Sequence, residues 1–153
     1  MTLFTVELRI YSVKAIGFSG REYTWNLNKY DVYGDDTRKR SKYHLRARGI
    51  LKEIYGGNYR ILEEVKLPGS TLSHRKSVLY LDFFIPVIKV GVEVHGKQHY
   101  EFTPFFHKSL TDYLLAMNRD DDKADWCKLN NIKLIVLKYS DSDNDWRCSI
   151  NGV

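Results

Sequence analysis

Residues 78–100 read VLYLDFFIPVIKVGVEVHGKQHY, and the fold is best approached from this stretch. Val78–Ile85 and Lys89–Val94 are two apolar runs rich in β-branched and aromatic residues, with Pro86 between them. That composition predicts two central strands joined by a tight turn. A carboxylate interrupts each run, Asp82 in the first and Glu93 in the second. A carboxylate in a buried strand is costly unless a cation or a hydrogen-bond network compensates it. Two of them on adjacent strands are placed to converge on one divalent cation. Mg²⁺ suits such a pair, because it prefers oxygen ligands and keeps several of its waters. His95, Gln98 and His99 follow at once, and His107 a little later. A polar cluster directly after an apolar strand predicts a site at that strand's C-terminal end. The plainer alternative has Asp82 and Glu93 solvated or salt-bridged at strand ends. In that case His95 and His99 only make structural hydrogen bonds, the role expected of His74 and His107 in either case.

Outward from this centre, Ser41–Tyr55 changes to helical period, with Leu45, Ile50, Leu51, Ile54 and Tyr55 on one face. Ser41 is an N-cap and Gly56-Gly57 a stop. Arg60–Leu67 reads as a strand ended by Pro68-Gly69, and 70–76 as a polar loop. A long helix is expected from Phe105 or Lys108 to Asn130, burying Leu110, Tyr113, Leu114, Met117, Ala124, Trp126 and Leu129. Ile132–Tyr139 is a last strand, followed by a mostly polar tail in which Trp146 is read as packing. The order αβββαβ over residues 37–153 predicts an α/β core with a mixed central sheet. Residues 1–36 are expected to form a β-hairpin extension. Phe4, Val6, Leu8 and Ile10 alternate with polar residues, Phe18–Arg21 is a turn, and Glu22–Leu27 returns. Its Tyr23 and Trp25 serve either the core or a groove.

A chain of 153 residues with 43% hydrophobic side chains makes one compact domain and is not intrinsically disordered. A mean hydropathy of −0.42 and the lack of a long uncharged apolar run argue against a membrane span. No charged-then-apolar pattern at the N-terminus marks a secretory signal. The two cysteines, Cys127 and Cys148, lack metal-ligand spacing. Free thiols in a reducing cytoplasm, bacterial or that of a phage-infected host, are expected. The net charge is +5, and Arg38, Lys39, Arg40, Lys42, Arg46 and Arg48 are crowded together without an acid among them. Such a run predicts a polyanionic partner, nucleic acid first among them.

Asp82 and Glu93-Val94-His95 together resemble the core motif of the PD-(D/E)xK nucleases. The stretch Asp82–Pro86 followed by Glu93–Tyr100 is similar to a narrower branch of that superfamily, the very-short-patch-repair-like and E-D-x-H-D phage homing endonucleases. The resemblance covers about Ser41 to Tyr139. It implies a restriction-endonuclease-like fold, with the two acids holding the metal. His99 and Asp120 match the histidine and helix aspartate that serve water activation, with Asp121 as an alternative to Asp120. The third motif position, ordinarily Lys, is His95 here. The branch's first acid is expected on or near the opening helix. Position 47, where related chains carry Glu, is Ala47, which leaves Glu53, Glu64 or part of a role for His44.

The reaction implied is hydrolysis of a DNA phosphodiester. Asp82 and Glu93 would hold Mg²⁺ or Mn²⁺, and His99, or else His95, would act as general base. Gln98 would orient water or a phosphate oxygen, and Lys97 and Lys123 would offset developing charge. Arg38, Lys39, Arg40, Lys42, His44, Arg46, Arg48 and Lys97 are the expected contacts to double-stranded DNA. Cutting both strands at a symmetric site would call for a homodimer or larger assembly. Two rival readings are a nuclease-like DNA-binding or assembly module without catalysis, and a repair or junction-resolving nuclease.

Overall fold

The computed structural model describes residues 12–30 and 39–152. Strands β1 (Ser12–Ile16) and β2 (Glu22–Asn26) pair antiparallel as a hairpin. Helix α1 (Lys42–Tyr55) follows, then β3 (Leu62–Lys66), β4 (Tyr80–Ile85) and β5 (Val90–His95). Helix α2 (Leu110–Leu129), β6 (Lys133–Lys138) and α3 (Asp143–Asn151) complete the strands and α-helices among the described residues, with short 3₁₀ turns at Asn28–Tyr30 and Lys97–His99. The larger sheet has the order β3-β4-β5-β6. Its first two pairings are antiparallel, while β5 and β6 run parallel, joined by a crossover through α2. This is a mixed α/β architecture with a mixed sheet, as the element order predicts. The alternating segment Phe4–Ile10 lies outside the described residues.

The sheet divides the core in two. On one side Leu62, Val65, Leu81 and Phe84 meet Trp126 and Cys127 of α2 and Ala15, Trp25 and Leu27 of the hairpin region. On the other, Phe83, Ile85, Val90 and Val92 meet Ala47, Ile50 and Leu51 of α1 and Trp146 and Ile150 of α3. The hairpin is built into the core. Trp25 stacks on Phe84 at 4.8 Å, and its indole N–H donates to the Lys66 carbonyl at 2.9 Å. Asn130, at the end of α2, clasps β1 by accepting from the Ile16 N–H at 2.7 Å and donating to the Ile16 carbonyl at 3.0 Å.

The tail, assigned no element from its sequence, forms helix α3, in which Trp146 packs as expected. Ser142 and Asp145 form a capping box, and Trp146 and Ile150, one turn apart, are buried. The expected buried face of α2 is wrong over most of its length. Trp126 and Cys127 are the helix's buried residues, while Leu110, Leu114, Met117 and Leu129 are exposed. A 20-residue helix spans ~30 Å, whereas a six-residue strand spans ~20 Å. The N-terminal half of α2 therefore carries its apolar stripe past the sheet.

Candidate active site

Alternation along a strand should place residues two apart on one face. In β3, however, Leu62 and Val65 enter the same cluster although they are three apart, and in β4 so do Leu81 and Phe84. The slip falls at Glu64 and Asp82. The ladder pairs Glu63 with Phe83 and Val65 with Leu81 but skips the pair between them. Glu64 takes a left-handed φ of 50°. For a residue with a side chain that conformation is uncommon and costs of order 1 kcal/mol or more, a strain that persists only where the surroundings enforce it. On its other side β4 also leaves the ladder at this point, since pairing with β5 runs only from Phe83/Val92 to Ile85/Val90.

Side chains fill the opening. The Asp82 N–H donates to Glu93 Oε1 at 3.1 Å, and the Val94 N–H donates to Asp82 Oδ2 at 2.8 Å. The two acids expected to converge thus take the place of ladder carbonyls across one strand gap. Asp82 lines a cleft of about 750 Å³ together with Lys29, Tyr30, Glu63, Glu64, Lys66, Tyr80 and Lys123. Glu93 is only 2% exposed. Burial, then the charge of Asp82, pushes its carboxyl up to about 8. Lys123, reaching in from α2, donates to Glu93 Oε2 at 2.9 Å. Burial works against its proton, but Glu93 and Asp82 hold its pKa above the ordinary value. One ammonium thus faces two carboxylates, and full ionisation leaves the trio with a negative charge. Carboxylate oxygens are the donors a hard divalent cation prefers, but here Glu93 Oε1 and Oε2 and Asp82 Oδ2 already accept hydrogen bonds, which among the described residues leaves Asp82 Oδ1.

Glu93 and His95 are two apart on β5 and therefore share a face, the one that α2 covers. After β5 the chain turns sharply at Gly96. A Cβ there would lie 2.5 Å from Gln98 Oε1, so the glycine leaves room for the Gln98 side chain to fold back. The short 3₁₀ turn Lys97–His99 then returns His99 to His95, and the two rings stack with centroids 4.1 Å apart. His99 Nδ1 lies 2.7 Å from Asp120 Oδ2. An ionised carboxylate only accepts, so Nδ1 carries the proton and Nε2 is the basic nitrogen. Asp120 Oδ1 is 4.0 Å from His95 Nε2, and His95 Nδ1 lies 3.3 Å from the Tyr100 hydroxyl. Burial, then the nearby His99, lowers His95 to about 4, which keeps it neutral at pH 7. Donor atoms of His95, His99 and Asp120 fall within 4.8 Å of one another.

The other expected residues divide clearly. Asp121 is exposed, and Asp122 pairs with Arg75 at 3.1 Å. Glu53 is an exposed partner of Arg147, bonded at 2.8 Å, and does not line the cleft. Glu64 does line it, in a pair with Arg40. Sequence reasoning missed Glu63, which is buried and also lines the cleft. His44 Nε2 lies 2.5 Å from its Oε1, and Arg48 Nε donates to its Oε2 at 2.9 Å. Burial raises the Glu63 pKa, but these bonds and charges outweigh it and hold the carboxyl below its ordinary value. His44 and Arg48 flank Ala47 on α1, so an acid from β3 stands beside the helix position where the resemblance expects one. The detectable signal is the pair of adjacent carboxylates, Glu63 and Glu64, within the expected strand Arg60–Leu67.

The basic segment is largely committed inward. Besides His44, Arg40 and Arg48, Arg46 pairs with Asp143 and lies 3.7 Å from the Trp146 ring centroid. Lys39 and Lys42 are exposed, as is Lys97, which lies 3.5 Å from Glu101. Arg38 lies outside the described residues. His107 is structural, with its Nδ1 accepting from the Thr103 N–H at 3.1 Å and its ring against Phe102 and Tyr113.

Fold and site together define an α/β protein with a mixed sheet and a polar, carboxylate-bearing cleft at the strand gap. Among known proteins, similarity appears in viral proteins. Uncharacterized protein 307L of Invertebrate iridescent virus 6 is 40% identical over 65 residues, 42% of this chain and 33% of that protein. Uncharacterized protein 033L of Invertebrate iridescent virus 3 is 40% identical over 62 residues, 40% of this chain and 32% of that protein. Uncharacterized protein 094L of Frog virus 3 (isolate Goorha) is 32% identical over 90 residues, 56% of this chain and 58% of that protein. The chain therefore spans about a third to under six tenths of the length of these relatives. No family model and no solved structure matches the chain. Among the described residues no helix is long and apolar enough to cross a membrane.

Proposed function

We propose that this protein is a Mg²⁺-dependent endonuclease that hydrolyses phosphodiester bonds of double-stranded DNA, on a restriction-endonuclease-like core. The observation that carries the reading is the meeting of Asp82 and Glu93 in the strand gap, with His99 held by Asp120 on the adjoining helix. Asp82 and Glu93 would hold the metal, which when bound would stabilise charge on the phosphate and make water more acidic. His99 accepts the proton from the attacking water at Nε2, while Asp120 fixes the tautomer and steadies the imidazolium that forms. The ammonium that the resemblance expects at position 95 comes instead from Lys123, which sits on Glu93 and faces the cleft. Lys29 and Lys66 at the cleft, with the exposed Lys39, Lys42 and Lys97, meet backbone phosphates. The homing-type refinement rests on motif similarity, and the viral relatives support action in an infected cell.

The test is cleavage of plasmid DNA by the purified full chain in Mg²⁺ or Mn²⁺. Asp82→Asn and Glu93→Gln should each abolish cutting while leaving the circular dichroism spectrum unchanged. If both variants still cut, the assignment is wrong. One observation favours a second reading, a DNA-binding module without catalysis: the 2.9 Å bond by which Lys123 already neutralises Glu93. Calorimetry with Mn²⁺ separates the two, because the module takes up no metal at Asp82 and Glu93.

A further inference from the structure

The overhanging half of α2 presents Leu110, Leu114 and Met117, which are 61%, 52% and 41% exposed. Their spacing of four and three residues makes them one stripe. The loop leading into the helix adds Phe102, Phe105 and Phe106 at 43%, 88% and 59% exposure. Taking about 200 Å² for a whole aromatic side chain and less for Leu and Met, the six residues expose roughly 600 Å² of apolar surface. That equals the largest patch on a typical monomer, about 300–600 Å². Two such faces together bury about 1,200 Å², the lower bound of a specific protein interface.

The chemistry of the face narrows its occupant. From Phe102 to Asn118 the chain carries one cation, Lys108, and one acid, Asp112, although the whole chain has 24 Lys and Arg. A surface for DNA or an anionic membrane would need cations here. Phe and Met with few charges is the composition of a protein interface core. A straight stripe on one helix is self-complementary when crossed by its own copy about a two-fold axis. We propose that a second copy of this chain docks here, with α2 against α2, to form a symmetric dimer. Asp120 and Lys123 lie on the same helix, so the dimer would hold two copies of the cleft in one particle.

The proposal does not rest on the nuclease reading, because mass is measured without DNA and either can fail alone. Sedimentation equilibrium of the full chain at micromolar concentration should give twice 18.0 kDa. Leu114→Glu combined with Met117→Glu should reduce it to a monomer with an unchanged far-UV spectrum. Phe105→Ser, at a well-solvated loop position, should weaken the dimer at least tenfold and carries the test if the double variant misfolds. A wild-type chain that sediments at 18.0 kDa overturns the proposal. It is overturned equally if that monomer binds DNA or lipid vesicles and these substitutions weaken the binding, since the face would then have another occupant. A dimer that survives both sets of substitutions overturns it as well.

Discussion

Replacing Glu93 with Gln should change how stability depends on pH, by an amount the buried trio sets. A carboxyl whose folded pKa is raised binds its proton more tightly in the folded state. Its penalty is absent below the ordinary value of 4.5, grows as the unfolded chain ionises first, and is complete above about 8. Moving a carboxyl from 4.5 to about 8 corresponds to ~5 kcal/mol at most. Relaxation around Lys123 and Asp82 lowers this, so a change of ~2–4 kcal/mol is expected between pH 5 and pH 8.5. His95 works in the opposite sense. Its pKa is lowered to about 4 by burial and His99, so its stabilisation is complete above 6.5 and lost as pH falls toward 4. That contribution is common to both proteins and cancels in their difference. The Glu93→Gln variant also loses a charged acceptor for Lys123, which shifts its curve by a roughly constant amount. The measurement is urea unfolding of both proteins in chelator from pH 5 to 8.5. The wild type should lose ground to Glu93→Gln steadily as pH rises, and millimolar Mg²⁺ or Mn²⁺ should recover part of the loss for the wild type alone. Parallel pH profiles would refute the buried-charge argument. An unchanged wild-type curve in metal would refute the cation site.

Asp120→Asn should lower cleavage by ~10²–10⁴, the usual worth of a positioned general base, while calorimetric Mn²⁺ uptake at Asp82 and Glu93 stays intact. Trp25→Ala should cost ~3–5 kcal/mol in a urea titration, because its ring packs between Phe84 and Trp126 in the core. Titration with a chromogenic disulfide reagent should count one fast thiol. Cys148 is exposed, whereas burial pushes the Cys127 thiol up to about 12. Fast reaction of both would place Cys127 elsewhere.

The elements legible in the sequence are those whose local pattern and tertiary use agree. Ser41 caps α1 by accepting from the His44 N–H, as its position before a helical apolar period implies. Val90–His95 is a strand because nothing else accommodates its β-branched run. The long helix lies where its period places it, but its apolar face is not buried as that period suggests. Periodicity reports that a helix has an apolar face, not that the sheet beneath is long enough to cover it. Helix α3 is hard to see because polar residues outnumber apolar ones in the tail, although Ser142, Asp145, Trp146 and Ile150 carry a complete cap-and-stripe signal. At the site, the adjacent strands join Asp82 and Glu93 through backbone N–H groups, and the crossover helix brings Asp120 to His99. Glu63 is only half legible: the adjacent acids Glu63 and Glu64 are visible, but not which of them is buried, because Glu64 adopts a left-handed φ that breaks the alternation. Period-2 reasoning cannot foresee such a slip.

The same slip explains why the cleft lies where it does. A regular β3–β4–β5 sheet would pair Glu64 with Asp82 and Asp82 with Glu93, turn their backbone groups to one another, and leave no opening between strands. Instead, backbone N–H groups of Asp82 and Val94 are satisfied by carboxylates, so the polar atoms are paired while the ladder stays open. A sheet built only for stability has no use for this arrangement. It gives up regular hydrogen bonds, holds one residue in strained backbone and buries a carboxyl against its own charge. The two apolar clusters on the sheet faces include neither Asp82 nor Glu93. If the opening exists to admit a ligand, substituting apolar residues for the whole charged trio, so that no buried ammonium is left unpaired, should stabilise the metal-free protein while eliminating metal uptake. Asp82→Leu combined with Glu93→Met and Lys123→Met should raise the thermal midpoint by several degrees, since exchanging a complete set of buried charges for packed hydrophobics is often worth ~1–4 kcal/mol. A fall in the midpoint would mean that the carboxylates hold the strands together, and that the irregularity is structural.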